Sequence, residues 1–370
     1  MQIAIVGAGT SGLFLNRLLS GRKGLHTTLF EQSEKAGTKL RASGGGKANL
    51  LNTDIRPEHY NHPEFLRRLL QQADAARVQR LWESFGLLTR SDDEGRVYPL
   101  SLCAQTAVDT LLPPGMDTDI RYGCTVRELQ AENGKWHLNG EAESFDKVVL
   151  CSGSPAGMIP DKRKAYNAYL HSLSLETTPL SPSLVGFRIR RYPKRLNGCR
   201  AKAEVRLLQN QREIFRETGE ITFKEDGLSG IVILNASAHY NRLENKEGAY
   251  LLLDFLYARP EWSLQEHLRL HRDLSGVLHP KLHALYLQQA FDPKNFRLDI
   301  EAPYDLAFAQ VCHGGIPVEK VDDTLALRGH PGVHIAGELL DIDGVCGGYN
   351  LFFACACACV IADNLCKDAH

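Results

Sequence analysis

The chain has 370 residues, 43 Lys plus Arg against 44 Asp plus Glu, a formal net charge of -1, and 10 cysteines. That length accommodates two or three domains with a sizeable core, and the balanced charge gives no general reason to expect nucleic acid or an anionic membrane as a partner. With no run near ~20 uninterrupted apolar residues, no signal-peptide form and no secreted disulfide framework, a reduced, cytoplasmic protein is expected.

The first element is a continuous apolar strand, QIAIV, running into Gly7-Ala8-Gly9-Thr10-Ser11-Gly12. A helix (LFLNRLLS) and a second strand (TTLFE) follow, ending in Glu31 and Gln32. A lone G-x-G-x-x-G is weak evidence; one placed between strand and helix, with an acid closing the next strand, predicts a dinucleotide site. Gly7 makes the tight turn, Gly9 lets backbone approach a pyrophosphate, and Gly12 lets the helix pack on the strand. The helix start offers free N–H groups and a positive dipole end to the phosphates, and Glu31 can accept from the adenosine ribose hydroxyls. The ligand is NAD or FAD.

Next comes a glycine-rich loop over 36–52, whose Gly44-Gly45-Gly46 fits neither a stable helix nor a good strand. The pattern predicts a helix within 62–86 capped by Gly86, a short strand in the DEGRVYPLS segment and a helix at 103–112. Strands are expected at 119–128, 134–139 and 145–151, the last running into the small residues Cys151-Ser152-Gly153. Composition changes at Pro179-Leu-Ser-Pro182, after which GFRI, AEVRLL, GEITF, GIVIL and AYLLLDFL read as short strands. Residues 262–291 read as two helices around Ser275-Gly276. The chain closes with the strand GVHIA, a glycine loop DGVCGGYN and an apolar helix.

The fold class is therefore α/β: a discontinuous Rossmann-like FAD-binding domain (1–180 plus 325–370), an inserted mainly β domain (181–258 plus 297–324) and a small helical domain (259–296). A cleft at such a domain boundary is where a small-molecule substrate usually sits. The C-terminal end favours FAD over NAD. Gly337-Glu338 after GVHIA places an acid where ribityl hydroxyls can bond, with Asp341 as a second acceptor. Gly347-Gly348-Tyr349-Asn350-Leu351 opens the last helix, whose N-terminus can stabilise negative charge on a reduced flavin.

Lys39-Leu40-Arg-Ala-Ser43-Gly44-Gly45-Gly46-Lys47-Ala48-Asn49, followed by Asn52, resembles the K-L-x-x-S-G-G-G-R-C-N-x-x-N signature of the BaiN/YhiN-like flavoproteins, the aminoacetone oxidase family. Matching segments at 95–101, 219–230, 309–315 and 336–350 extend the similarity over nearly the whole chain. The resemblance implies FAD, a redox reaction at the flavin, and a β domain and a small helical domain inserted in the FAD-binding domain. It also implies that Lys39, Ser43 to Gly46 and Asn49 lie at the flavin end, and that the backbone of Thr125 and Val126 meets the adenine. Family members are NAD(P)H-dependent reductases, amine oxidases or bile-acid-related reductases. This chain departs from the pattern at Lys47-Ala48 (usually Arg-Cys), at Lys224-Glu225-Asp226 (usually carrying a His) and at Phe352-Phe353 (usually Gln-Trp).

Cys355, Cys357 and Cys359 alternate with alanine and read as small residues for close helix packing, not as metal ligands. His267/His271 and His279/His283 lack the third ligand a zinc site needs, so no metal is expected. The strip from Arg188 to Lys202, seven cations without an acid, reads as a solvated face or a surface for an anionic group. Candidates for a proton donor or redox thiol near the flavin are Tyr98, His313, Asp343, Tyr349 and Cys346. The expected activity is an FAD-dependent oxidoreductase that takes electrons from NAD(P)H, bound transiently because there is no second G-x-G-x-x-G, and passes them to a small organic acceptor. Alternatives are an amine oxidase using O₂ and a redox-sensing flavin-binding interaction protein.

Overall fold

The structure, a computed structural model, describes residues 1–116, 118–158 and 166–368. The chain divides into two compact units, Met1–Leu180 with Gly314–His370, and Ser181–His313.

The first unit is built on a five-stranded, wholly parallel sheet in the order Val333–Ile335, Lys147–Leu150, Gln2–Val6, His26–Glu31, Asp119–Tyr122. Its central strand is buried on both faces, which is why it reads as an unbroken apolar run and not an alternating one. Ile3 sits between Thr27 and Lys147, so the glycine turn emerges at the same edge as Cys151. The helix Thr10–Leu19 packs against the C-terminal helix Tyr349–Asp368. Ala354 to Ala362 are all buried, and small side chains on every side of that helix let it lie inside the core. By length and composition the helix could cross a membrane, but 72% of its most apolar stretch is buried within the protein.

The helix expected within 62–86 is two: Pro63–Gln72 and Ala75–Ser84. The break falls at Asp74, whose carboxylate accepts from Arg77 N at 2.7 Å as an N-cap, a local bond that competes with helix continuation. The strand expected over 119–128 stops at Tyr122, because Gly123 turns with φ +64. An antiparallel set, Leu51–Asn52, Arg96–Pro99 and Thr89–Ser91, lies beyond the second glycine loop.

The second unit is a closed six-stranded barrel formed by Phe187–Ile189, Gly227–Ser229, Arg212–Phe223, Arg200–Gln209, Ala249–Asp254 and Phe296–Pro303. Ala203, Val205 and Leu207 point into its core, while Lys202, Glu204 and Arg206 between them are less buried, the period-two pattern of a half-buried strand. The GIVIL segment is not a strand. Gly230, at φ +113, ends the short strand, and Ile231–Asn241 is a helix with Val232, Ile233, Ala236 and Ala238 fully buried. A short apolar run suits a buried strand or a buried helix equally, and packing against the barrel strands Arg212–Phe223 and Arg200–Gln209 decides for helix over β propensity. Helices Leu264–His271 and Pro280–Gln288 follow, and Leu274, Leu278, Leu282 and Leu285 join the same core as Phe296 and Leu298.

Candidate functional site

Each glycine of the first turn has a distinct physical reason. Gly7 has φ +107, and a Cβ there would stand 2.5 Å from Cys151 O. A Cβ on Gly12 would overlap the Gly7 carbonyl oxygen, so helix and turn touch backbone to backbone. At Gly9 a Cβ would meet no protein atom within 4 Å. Gly9 is the N-cap of Thr10–Leu19 and supplies no side-chain cap, leaving the first N–H groups of a ten-residue helix as anion donors. Glu31 is buried and its two oxygens accept from Ala8 N and Ser33 N, both at 2.8 Å. The carboxylate thus holds the glycine turn in shape and still has lone pairs for further donors. Gln32 beside it is exposed. Thr125 O accepts from Asn139 Nδ2 at 3.1 Å, and Val126 is buried.

The second glycine loop is more structured than its composition predicts. Thr38–Ala42 is a short helix with Leu40 fully buried, and Ser43–Gly46 is a tight turn with φ +57, +65 and +87 at its three glycines. A Cβ on Gly45 or Gly46 would meet nothing within 4 Å, whereas one on Gly44 would stand 2.9 Å from Asn49 N and 3.7 Å from the Tyr98 ring. Lys39 Nζ donates to Ser154 O at 2.8 Å and lies 3.5 Å from Glu338 Oε2, and Ser154 Oγ donates to Glu338 at 2.8 Å. Two residues chosen from opposite ends of the chain, Lys39 and Glu338, therefore meet through Ser154, which sequence reasoning missed by one position. Ser152 Oγ lies 2.7 Å from Asn167 Oδ1 and from Tyr169 Oη, and Gly153, at φ +71, has no protein atom within 4 Å of a Cβ.

The loop 337–351 is held by side chains distant in sequence. Gly337 has φ +69, and its Cβ would collide with Ser11 Oγ. Gly348 has φ +101, and its Cβ would stand 2.5 Å from the Leu51 carbonyl and 2.7 Å from Asn49 Oδ1. Asn52 Nδ2 donates to Gly347 O at 3.2 Å, and Tyr60 Oη donates to Tyr349 O at 2.8 Å. Asn350 closes the loop on itself, accepting from Gly344 N at 2.8 Å and donating to Gly344 O at 3.0 Å. Leu351 is half-buried behind it. Asp341, expected as a second ribityl acceptor, accepts from Thr178 Oγ1 at 2.8 Å, Asn61 Nδ2 at 3.1 Å and Gly314 N at 3.2 Å. Its carboxylate is largely engaged by the protein. The segment His59-Tyr60-Asn61-His62, which carries no motif or periodicity, does much of this holding; only the tertiary fold reveals it.

Of the proton-donor candidates, Tyr98 stands beside the glycine loop, its ring 3.7 Å from where a Gly44 Cβ would lie. Burial raises the Tyr98 phenol above its ordinary value, the Arg96 guanidinium opposing the rise and Asp92, Cys346 and Glu94 adding to it. Asp343 is wholly buried, its backbone N–H and C=O paired with Asn61. The Tyr349 ring packs edge-on to His59 at 4.6 Å. His313 ends the last strand of the second unit.

The other polar features have local partners. Burial pushes Cys357 and Cys359 up to about 12, and Cys355 well above the ordinary thiol range, so these are protonated packing groups. His279 caps its helix, accepting from Lys281 N at 3.2 Å, and His283 lies 2.5 Å from Asp273. In the cationic strip, Arg188 and Arg200 face Asp226 and Glu220 at 3.4 and 3.8 Å.

This geometry has relatives. The family model described as the HI0933-like protein Rossmann domain matches residues 1–364. The chain is 28% identical to the 3-dehydro-bile acid delta(4,6)-reductase of Clostridium scindens over 96% of each chain. It is 24% identical to the ribosomal RNA dihydrouridine synthase of Escherichia coli, over 98% of this chain and 97% of that one. Among solved structures, 3-ketosteroid delta1-dehydrogenase from Sterolibacterium denitrificans is similar in fold, with a TM-score of 0.53 at 11% identity over 99% of both chains.

Proposed function

The chain belongs to the HI0933-like family of FAD-binding Rossmann proteins and is an FAD-dependent oxidoreductase, and on that premise we propose that it reduces a carbon–carbon double bond conjugated to a carbonyl, using NAD(P)H. The observation that carries the reading is the bare backbone cradle: Gly9, Gly45, Gly46 and Gly153, where a Cβ would meet no protein atom within 4 Å. An acid stands at each end, Glu31 near the first turn and Glu338 with Lys39 near the second. That layout fits an extended dinucleotide. In this reading Ala8 to Gly12 and Cys151 to Gly153 hold the pyrophosphate region, Glu31 and Gln32 the adenosine ribose, and Thr125 and Val126 the adenine. Lys39, Leu40 and Glu338 take the ribityl chain; Ser43 to Gly46, Asn49 and Gly347 to Leu351 take the ring. Bound flavin supplies a two-electron carrier whose N5 gives a hydride.

The acceptor class is supported by the names of the two relatives, each of which describes adding two hydrogens across a carbon–carbon double bond. Such a reduction needs a hydride at one carbon and a proton at the other. Tyr98, a phenol protonated at neutral pH and raised further by burial, is the proposed proton donor. The small-molecule acceptor remains the first reading. A uridine in RNA is the second, favoured by the exposed Arg190, Arg191, Lys194, Arg195 and Lys202 on the barrel unit. Ten free thiols support a reducing, cytoplasmic setting.

The test is anaerobic titration of the purified flavoprotein, followed at the flavin band near ~450 nm. One of NADH or NADPH should bleach it, and an enone or a uridine-containing RNA should restore the colour. Bleaching by an amine instead, with peroxide on reoxidation, would replace the reductase by an oxidase. A bound flavin indifferent to all of these would favour the redox-sensing role.

A further inference from the structure

The chain leaves the first unit after Leu180 and returns at Gly314. At this crossing Thr178 N donates to Gly315 O at 2.8 Å, and Gly315 N donates to Thr178 Oγ1 at 3.0 Å. The two crossing segments therefore run paired, as a neck. Gly314, at φ +94, has no room for a Cβ against Pro179 O, and a Cβ on Gly315 would stand 2.7 Å from the Leu340 carbonyl carbon. The neck is thus seated on the loop that contains Asp341.

Asp341 gathers the bonds at that seat. One carboxylate oxygen accepts from Thr178 Oγ1 on the outgoing segment, and the other accepts from Gly314 N on the returning one. Asn61 joins both this carboxylate and the Asp343 backbone, and His62 Nε2 lies 3.9 Å from Asp341. A carboxylate 7% exposed and accepting from Thr178 Oγ1, Asn61 Nδ2 and Gly314 N is a strong local tie, because a charge shut off from water is held by charge-assisted hydrogen bonds.

We propose that Asp341 is a positioning residue, the anchor that fixes both crossings of the inserted unit to the loop 341–350, and that it acts through Thr178 and Asn61. The inference rests on the proposed function in assigning that loop to the flavin; the anchoring geometry itself does not depend on it. The neck and the loop form one cooperative piece. Loosening the anchor frees the neck and shifts the loop, while the core sheet stays closed.

Amide hydrogen exchange on the FAD-loaded full chain tests this, comparing wild type with Thr178→Val, Thr178→Ser and Asp341→Asn. Thr178→Val should speed exchange at 176–180 and 314–316 by about tenfold and alter the visible circular dichroism of the flavin, with strand Gln2–Val6 unchanged. Thr178→Ser, which keeps the hydroxyl, should restore both signals. Should Asp341→Asn fail to fold, the Thr178 pair still decides. Unchanged neck exchange in Thr178→Val, or a uniform rise throughout the chain, would overturn the anchor. A wild-type protein that takes up no FAD would sink the flavin assignment instead, and the neck exchange would still be measured on the unloaded chain.

Discussion

The two ends of the candidate cofactor site are held in different ways. The turn at 7–12 is fixed by its own backbone: Gly12 against the Gly7 carbonyl, Gly7 against Cys151, and one carboxylate, Glu31, from the adjacent strand. The loop at 337–351 is fixed by side chains from elsewhere, among them Asn49, Asn52, Tyr60, Asn61, Ser154 and Thr178. A site held by local backbone tolerates almost no side chain where backbone meets backbone, at Gly7 and Gly12. One held by remote side chains can be loosened from outside itself.

Substitutions at the turn should show the largest effects and separate folding from binding. Alanine normally favours a helix over glycine by about 1 kcal/mol. At Gly12 the sign should reverse, because the new Cβ meets the Gly7 carbonyl: Gly12→Ala should cost about 3 kcal/mol in chemical denaturation and abolish FAD binding. Gly9→Ala should leave stability within about 0.5 kcal/mol yet weaken FAD by tenfold or more, since its Cβ enters the cradle and not the protein. Equal losses in both variants would erase the distinction between a packing glycine and a cradle glycine.

The strand feeding the second loop carries His334, pulled down to about 4 by burial, with Lys147 adding to the effect. Its neutral form is the native one. As pH falls from about 6.5 toward 4 the unfolded chain takes up a proton that the folded chain resists, so stability should drop by roughly 2–3 kcal/mol by pH 4.5. His334→Leu should flatten that part of the stability–pH curve, and a curve of unchanged slope would remove His334 from the account. Asn61→Ala breaks the ties to Asp341 and Asp343 and should cost about 2 kcal/mol while leaving the turn at 7–12 intact by hydrogen exchange.

The smallest effect belongs to His62, held above its ordinary value chiefly by the Asp341 carboxylate 3.9 Å from its Nε2 and also by the charges of Glu319 and Asp343. Its contribution is complete below about pH 6.5 and disappears as pH rises through the raised native value. A partly exposed pair is screened, so His62→Gln should change stability by less than about 1 kcal/mol, and only on the acid side. A larger loss above pH 8 would mean that packing, not charge, is what His62 supplies.

The sequence by itself determined the dinucleotide turn, the parallel strands that frame it, the inserted β region and the FAD family. Each of these is encoded within a few residues, as glycine spacing, apolar runs and a recurrent loop motif, and local sterics leave little choice. Tertiary structure alone decided that GIVIL is a helix packed on the barrel strands and that Lys39 reaches Glu338 through Ser154, whereas the break of 62–86 at Asp74 is a local cap. It also turned Asp341 from an expected sugar acceptor into a residue bonded to Thr178, Asn61 and Gly314. The physical reason is distance along the chain. A carboxylate is equally available to a ligand hydroxyl or a protein donor, and which one it meets depends here on Thr178 and Asn61, more than a hundred residues away, and on Gly314 of the returning segment.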